Sequence, residues 1–294
     1  MSNVRGHIVP ALAAIAVAAL PLASIARPLA VFPSSPSVCN NSAIKLGPAL
    51  SPFAALAGTT ITNVGATVVD RSPDVSSGTT PLAASDLIGV WPGTAITGFY
   101  PPGIDEGGFR DIYAAGFDTN RAVPQAAQGA LNAAYTIAAG IAPTALVAGD
   151  LSEVALPGYP TGTLPPGVYK SNSTLGIMSG NLTLDGRQGN SRGRGSYNTP
   201  PPVFVFEIAS SLTTTYNAGA GGNIILTNGA TPCDIYWQVG DSATLGGATF
   251  YGNVFAYTSI TLGASTFTGR ALALNGAITM PAASGSLITN PGGR

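Results

Sequence analysis

A tripeptide recurs along this chain: a small or hydroxylated residue, then an apolar one, then threonine. It reads Thr60-Ile61-Thr62, Ala95-Ile96-Thr97, Ser211-Leu212-Thr213, Ser242-Ala243-Thr244, Ser259-Ile260-Thr261 and Ala277-Ile278-Thr279, with Asn181-Leu182-Thr183 as a looser copy. In a β-strand successive side chains point to opposite faces, so the middle residue of each copy points into a core and its two flanks point out. The spacing is regular as well: 17 residues separate Thr244 from Thr261, and 18 separate Thr261 from Thr279. A short fixed period marks a solenoid, and three short strands with tight turns fill one such coil. Copies stacked in register build a flat surface ruled with short hydroxyls and methyls and almost without charge.

The C-terminal third carries the repeat most openly, as DIYWQVGDSATLG at 234–246, GNVFAYTSITLG at 252–263 and GRALALNGAITM at 269–280. Ile235, Trp237 and Val239 alternate on one side of their strand, and Leu272 and Leu274 are expected to do similar work later. Phe250 and Phe267 lie 17 residues apart and should stack in the core. An excursion at 219–231 and a polar loop at 71–85 interrupt the series. One segment, about 124–140, has helical spacing instead, with Ala127, Ala130, Leu131, Ala134, Tyr135 and Ala138 on one narrow stripe. Pro124 suits its first turn and Gly140 its end. A mostly alanine stripe lets this helix lie close to a solenoid wall; docking onto a partner is the alternative use.

Charged residues make up 9% of the 294, while 45% are apolar, so the chain folds rather than remaining disordered. A net charge of −1 gives no electrostatic case for nucleic acid or for an anionic membrane. Arg187, Arg192 and Arg194 form one small basic cluster, read as a solvated loop. Residues 1–30 read as a secretory signal: Arg5, an apolar stretch from Ile8 to Leu22 broken by Pro10 and Pro21, then small residues before Ala30. This predicts a secreted product with a linker at 31–45, one domain at 46–288 and a tail at 289–294. Its only histidine, His7, falls in the signal. Cys39 and Cys233 are the two cysteines; a disulfide between them and two free thiols both fit the count. Asn40, Asn172 and Asn181 begin glycosylation sequons.

Catalytic signals are sparse. There is no cysteine pair at metal spacing and no glycine-rich phosphate loop. The 13 carboxylates are scattered: Asp105 and Glu106 are adjacent and point apart in a strand, and Asp234 and Asp241 fall near one coil. The chain is expected not to be an enzyme, to need no cofactor or metal, and to act as a monomer.

Several stretches, in order, resemble the large secreted ice-binding (antifreeze) proteins of cold-living microbes: AALAGTTITN at 54–63, VWPGTAITGF at 90–99, PPGVYK at 165–170, LTLDG at 182–186, VFVFEI at 203–208, CDIYWQVGDSATLG at 233–246 and GRALALNGAIT at 269–279. The segment 85–90 is one residue longer than the family's usual pattern, and the loops at 71–85 and 187–202 are expanded. The resemblance implies a discontinuous right-handed β-solenoid of triangular section with a long helix along one face. It also implies a partner that is the surface of an ice crystal, met through one flat face. On this chain that face would comprise Thr60, Thr62, Thr97, Ser211, Thr213, Ser242, Thr244, Ser259, Thr261, Ala277 and Thr279. A secreted structural or adhesive module that binds glycan or protein through the same face is the alternative.

Overall fold

A computed structural model describes residues 44–71, 87–99, 104–105, 112–114, 121–187, 202–215, 221–281 and 287–290. The chain opens with a single helical turn, α1 (Gly47–Leu50), and a first coil of β1 (Phe53–Ala57), β2 (Thr60–Asn63) and β3 (Val68–Arg71). The strands β4 (Leu87–Val90), β5 (Ala95–Thr97), β6 (Ile104–Asp105) and β7 (Ile112–Tyr113) follow, and then the long helix α2 (Ala122–Ala139). Short strands β8 (Ala145–Leu146), β9 (Gly149–Asp150) and β10 (Thr163–Leu164) start the second, longer run. It continues with β11 (Gly167–Ser171), β12 (Leu175–Ile177), β13 (Leu182–Asp185), β14 (Phe204–Ile208), β15 (Leu212–Thr214) and β16 (Ile224–Thr227). The last coils are β17 (Ile235–Val239), β18 (Ala243–Leu245), β19 (Thr249–Ala256), β20 (Ile260–Leu262), β21 (Thr266–Ala273), β22 (Ile278–Met280) and β23 (Leu287–Asn290).

The strands form three parallel walls. The first runs β8-β11-β14-β17-β19-β21-β1-β4-β7, and the second β9-β12-β15-β18-β20-β22-β2-β5. The third holds β10-β13-β16 and then β19-β21-β23-β3-β6. The stack is therefore discontinuous: the last coil of the chain pairs with its first, through β21–β1, β22–β2 and β23–β3. β19 and β21 are eight residues long because each turns a corner and serves two walls. Gly252 makes that turn at φ +115°, and a Cβ there would meet Ile235 and Trp237 within 3 Å, so only glycine fits.

α2 explains how the stack can be discontinuous. After β7 the chain is at one end of the ladder and must restart at β8 on the other. The helix crosses the first wall, packing on β4, β1, β17 and β14. From β4 to β14 is five strand spacings, roughly 24 Å, and 18 helical residues span about 27 Å. Ala127, Leu131, Ala134 and Ala138 are buried, with Ala130 and Tyr135 half-buried, as the stripe predicts. The helix starts two residues before Pro124, which sits inside its first turn. Arg121 holds that end, lying 5.2 Å over the Trp91 ring and donating to the Pro92 and Gly93 carbonyls. Farther along, the Gln128 amide donates to the carbonyl of Ala273 at 3.0 Å.

Because α2 and residues 44–50 cover the middle of the first wall, β1, β4, β14 and β17 are buried on both sides. Ile235, Trp237 and Val239 point into the solenoid, whereas Tyr236, Phe255, Leu272 and Leu274 point outward into a second apolar layer with Leu50, Phe53 and Leu131. Leu272 and Leu274 thus lie on the opposite side from the one expected for them. Inside the solenoid, rings stack from coil to coil: Tyr169–Phe206 at 5.4 Å, Phe206–Trp237 at 4.0 Å, and Phe250–Phe267 at 5.8 Å with planes 7° apart. Arg270 is fully buried on the first wall, donating to the Ser51 carbonyl at 3.0 Å and to Asn253 Oδ1 at 2.8 Å. Burial pulls its pKa down to about 10, a shift that Tyr236 opposes.

The solenoid exceeds the boundaries expected from sequence: Ile44, from the expected linker, is fully buried, and β23 carries the fold to Asn290, past residue 288. The excursion at 219–231 contains a strand of its own, β16. Cys233 is disulfide-bonded; Cys39, Asn40, Glu106, Arg192, Arg194, residues 1–43 and most of the 71–85 loop lie outside the described residues.

Candidate functional site

The second wall gathers the recurring tripeptides. Their threonines form one unbroken column, Thr97-Thr62-Thr279-Thr261-Thr244-Thr213, each paired with the next across parallel strands. Five spacings make this column roughly 24 Å long. Thr97, Thr213 and Thr244 are exposed; Thr62, Thr261 and Thr279 are half-exposed. Beneath lies a floor of Ile96, Ile61, Ile278, Ile260, Ala243 and Leu212, none more than 6% exposed. The residue after five of the six threonines is buried too, as Asn63, Met280, Leu262, Leu245 and Thr214. All six but Thr97, which Ile96 alone braces, therefore have a core residue on either side along their strand, and β-branching stiffens χ1.

The second outward column, Ala95-Thr60-Ala277-Ser259-Ser242-Ser211, differs in chemistry. Its serines are engaged with the protein: the Ser259 amide donates to Ser242 Oγ at 3.4 Å, and the Ala277 amide donates to Ser259 Oγ at 3.2 Å. Asp241 reaches the same column, accepting from Ser242 Oγ at 3.3 Å and from Ser211 Oγ at 3.5 Å. By contrast, the hydroxyls of Thr62, Thr97, Thr213, Thr244, Thr261 and Thr279 make no hydrogen bond to the described protein. The eleven residues expected from sequence are thus brought together on one wall, but they divide into a column free to bond outward and a column bonded inward. An exposed carboxylate, Asp241, also stands at the margin of a face expected to be free of charge.

Asn181-Leu182-Thr183 is not part of this wall. β13 belongs to the third wall, where Thr183 pairs with Thr163 and Ile225. Ala95, which its copy of the tripeptide places outward but which is not among the eleven, stands on the wall as well, paired with Thr60. Thr174-Leu175-Gly176 is a further copy hidden by its glycine: Leu175 pairs with Leu212 and Gly176 with Thr213. At the end of the threonine column stands Asp150, paired with Gly176. Its carboxylate accepts from Ser152 N at 3.0 Å, Ser152 Oγ at 2.8 Å and Ser179 N at 2.6 Å. Burial raises its pKa, but these bonds outweigh burial and leave the carboxyl below its ordinary value.

Among the described residues the carboxylates do not converge. Asp234 is buried and accepts from Thr231 Oγ1 at 2.8 Å, its pKa raised by burial, while Asp241 lies beyond the five residues of β17. Arg187 pairs with Asp185, at 2.8 Å from Nε, on the third wall. Among the described residues no three His, Cys, Asp or Glu side chains are grouped to hold a metal, and no helix is long and apolar enough to cross a membrane.

Comparison with known proteins matches this architecture to its relatives. Residues 55–284 match the family model described as Ice-binding-like. The chain is 36% identical over 255 residues to an ice-binding protein of Nostoc sp. (strain HG1), a match covering 86% of this chain and 77% of that protein. It is similar to the crystal structure of an ice-binding protein from an Antarctic biological consortium, with 34% identity, a TM-score of 0.60, and coverage of 84% of this chain and 89% of that one. An ice-binding protein from the Antarctic ascomycete Antarctomyces psychrotrophicus is similar too, at 30% identity and a TM-score of 0.60, over 84% of this chain and 97% of that one.

Proposed function

The chain belongs to the ice-binding-like family, and from that premise we propose that it adsorbs to ice through its second wall, with the six-threonine column as the contact. The observation that carries this reading is that the six hydroxyls stand in consecutive register, unbonded to protein, over a continuous buried floor. Strands about 4.8 Å apart and alternate residues about 6.7 Å apart set a grid close to the oxygen spacings of ice planes. Each hydroxyl bonds one ordered water, and each methyl keeps bulk water from competing for it. Water already ordered on the wall then joins the lattice with little further entropy cost, and the adsorbed protein blocks growth there. No group is required to change protonation or covalent state, so the reading needs no cofactor and no catalysis. A single wall suffices for contact, so the protein acts as a monomer, and the leader at 1–30 sends it outside the cell, where ice forms. Microscopy of a single ice crystal held just below its melting point in purified protein tests this. Arrested, faceted growth is the expected result, and rounded growth identical to buffer contradicts it.

A further inference from the structure

The threonine column stops at Thr213, although the sheet beneath it does not. The next rung is Thr174-Leu175-Gly176, and its frame is complete. Leu175 is 2% exposed and continues the buried floor, its amide donates to the Ser211 carbonyl at 3.0 Å, and Thr174 is exposed in line with Ser211. Only the side chain at the threonine position is missing. That space is taken. A Cβ placed on Gly176 would meet the Met178 side chain, at 2.7 Å from Cε, 3.0 Å from Cγ and 3.1 Å from Sδ. Met178 is nonetheless 48% exposed, so it lies over Gly176 from the solvent side rather than filling the core. Its backbone is fixed where it stands: its amide donates to both Asp150 carboxylate oxygens, at 3.1 and 3.2 Å, and its carbonyl accepts from Thr215 Oγ1 at 2.8 Å.

We infer that Gly176 and Met178 set the length of the ice-contacting column, with the Met178 thioether capping a seventh rung that is otherwise built. This rests on the reading of the wall given above. It makes Met178 a boundary residue, outside the contact itself, and Gly176 the position that determines how much area the wall presents. Gly176 has an ordinary strand backbone rather than a left-handed one, so threonine is accommodated once the methionine is shortened.

The test compares four proteins by the concentration that half-inhibits ice recrystallisation, with thermal unfolding followed for each: wild type, Met178→Ala, Gly176→Thr with Met178→Ala, and Thr261→Tyr. Met178→Ala should leave activity unchanged. A seventh rung adds roughly 30 Å² of contact, so the double variant should work at about a threefold lower concentration. If threonine impairs folding of that variant, Gly176→Ser with Met178→Ala should shift activity in the same direction by less. A several-fold loss from Met178→Ala alone would make the thioether an ice contact and overturn the proposal. So would a folded double variant no better than wild type while Thr261→Tyr still abolishes activity. Full activity in Thr261→Tyr would instead overturn the reading of the wall itself.

Discussion

Serine and threonine look interchangeable in the tripeptides, yet the two columns spend their hydroxyls differently. Ser242 and Ser259 each accept a backbone N–H from the next coil and so tie one rung to another, whereas the threonines keep their hydroxyls for solvent. Ser259→Ala should therefore cost about 1 kcal/mol, because the Ala277 amide loses its acceptor, and should lower the melting temperature by ~2–4 °C while leaving ice shaping intact. Calorimetry and crystal microscopy on one preparation check both halves. The placement of both columns was legible in sequence, since period-two alternation decides which side of a strand each residue takes. The difference between them was not. A serine's partner here is an amide 17 or 18 residues away, and that contact exists only once coils stack in register. The Gly176 rung escaped for a simpler reason: the repeat was recognised by its threonine, and at that rung the threonine is absent.

α2 was readable as an element because its apolar stripe is alanine at helical spacing between Pro124 and Gly140. The small residues fix how closely it lies. Ala134 is 1% exposed against the outward layer of the first wall, so Ala134→Leu should overpack this contact, costing about 1–3 kcal/mol in a denaturant titration, with no change in m-value. What sequence could not give is the second apolar layer that the helix creates. Tyr236 and Phe255 occupy positions that alternation assigns to solvent, and their burial follows only from the cover above them. The same cover encloses Arg270 and Asn253, whose amide donates to the carbonyl of Ile235 at 3.1 Å and whose oxygen receives Arg270. These polar residues resemble surface in the sequence, and they are tolerated inside because each bonds the backbone around it.

For the molecule as a whole, the pairing of the last coil with the first makes stability a property of the entire stack, and its short end coil is held by one carboxylate. Asp150 ties β9 to the turn after β12, and its carboxyl lies below its ordinary value in the folded state. An acid of depressed folded pKa contributes stability that is present above its unfolded pKa of about 4 and is lost as pH falls through the folded pKa. Asp185, held by Arg187 and Asn228, acts with the same sign. Thermal unfolding followed below pH 4 should show this loss, and Asp150→Asn should flatten part of it; an unchanged acid limb in that variant would contradict the role given to the carboxylate.

The central claim is that ice meets the threonine column and no other wall. Thr261 stands mid-column, half-exposed, over the buried Ile260, and Thr268 on the third wall is half-exposed in a strand as well. One measurement compares Thr261→Tyr with Thr268→Tyr by the shape and growth rate of a single ice crystal below its melting point. A ring at position 261 stands proud of the column without entering the core, so ice shaping should vanish while the unfolding free energy stays within the span of ordinary surface substitutions, about ±0.5 kcal/mol. The ring at 268 should leave shaping as in wild type. Shaping that survives Thr261→Tyr, or is lost with Thr268→Tyr alone, would place the ice contact on another wall.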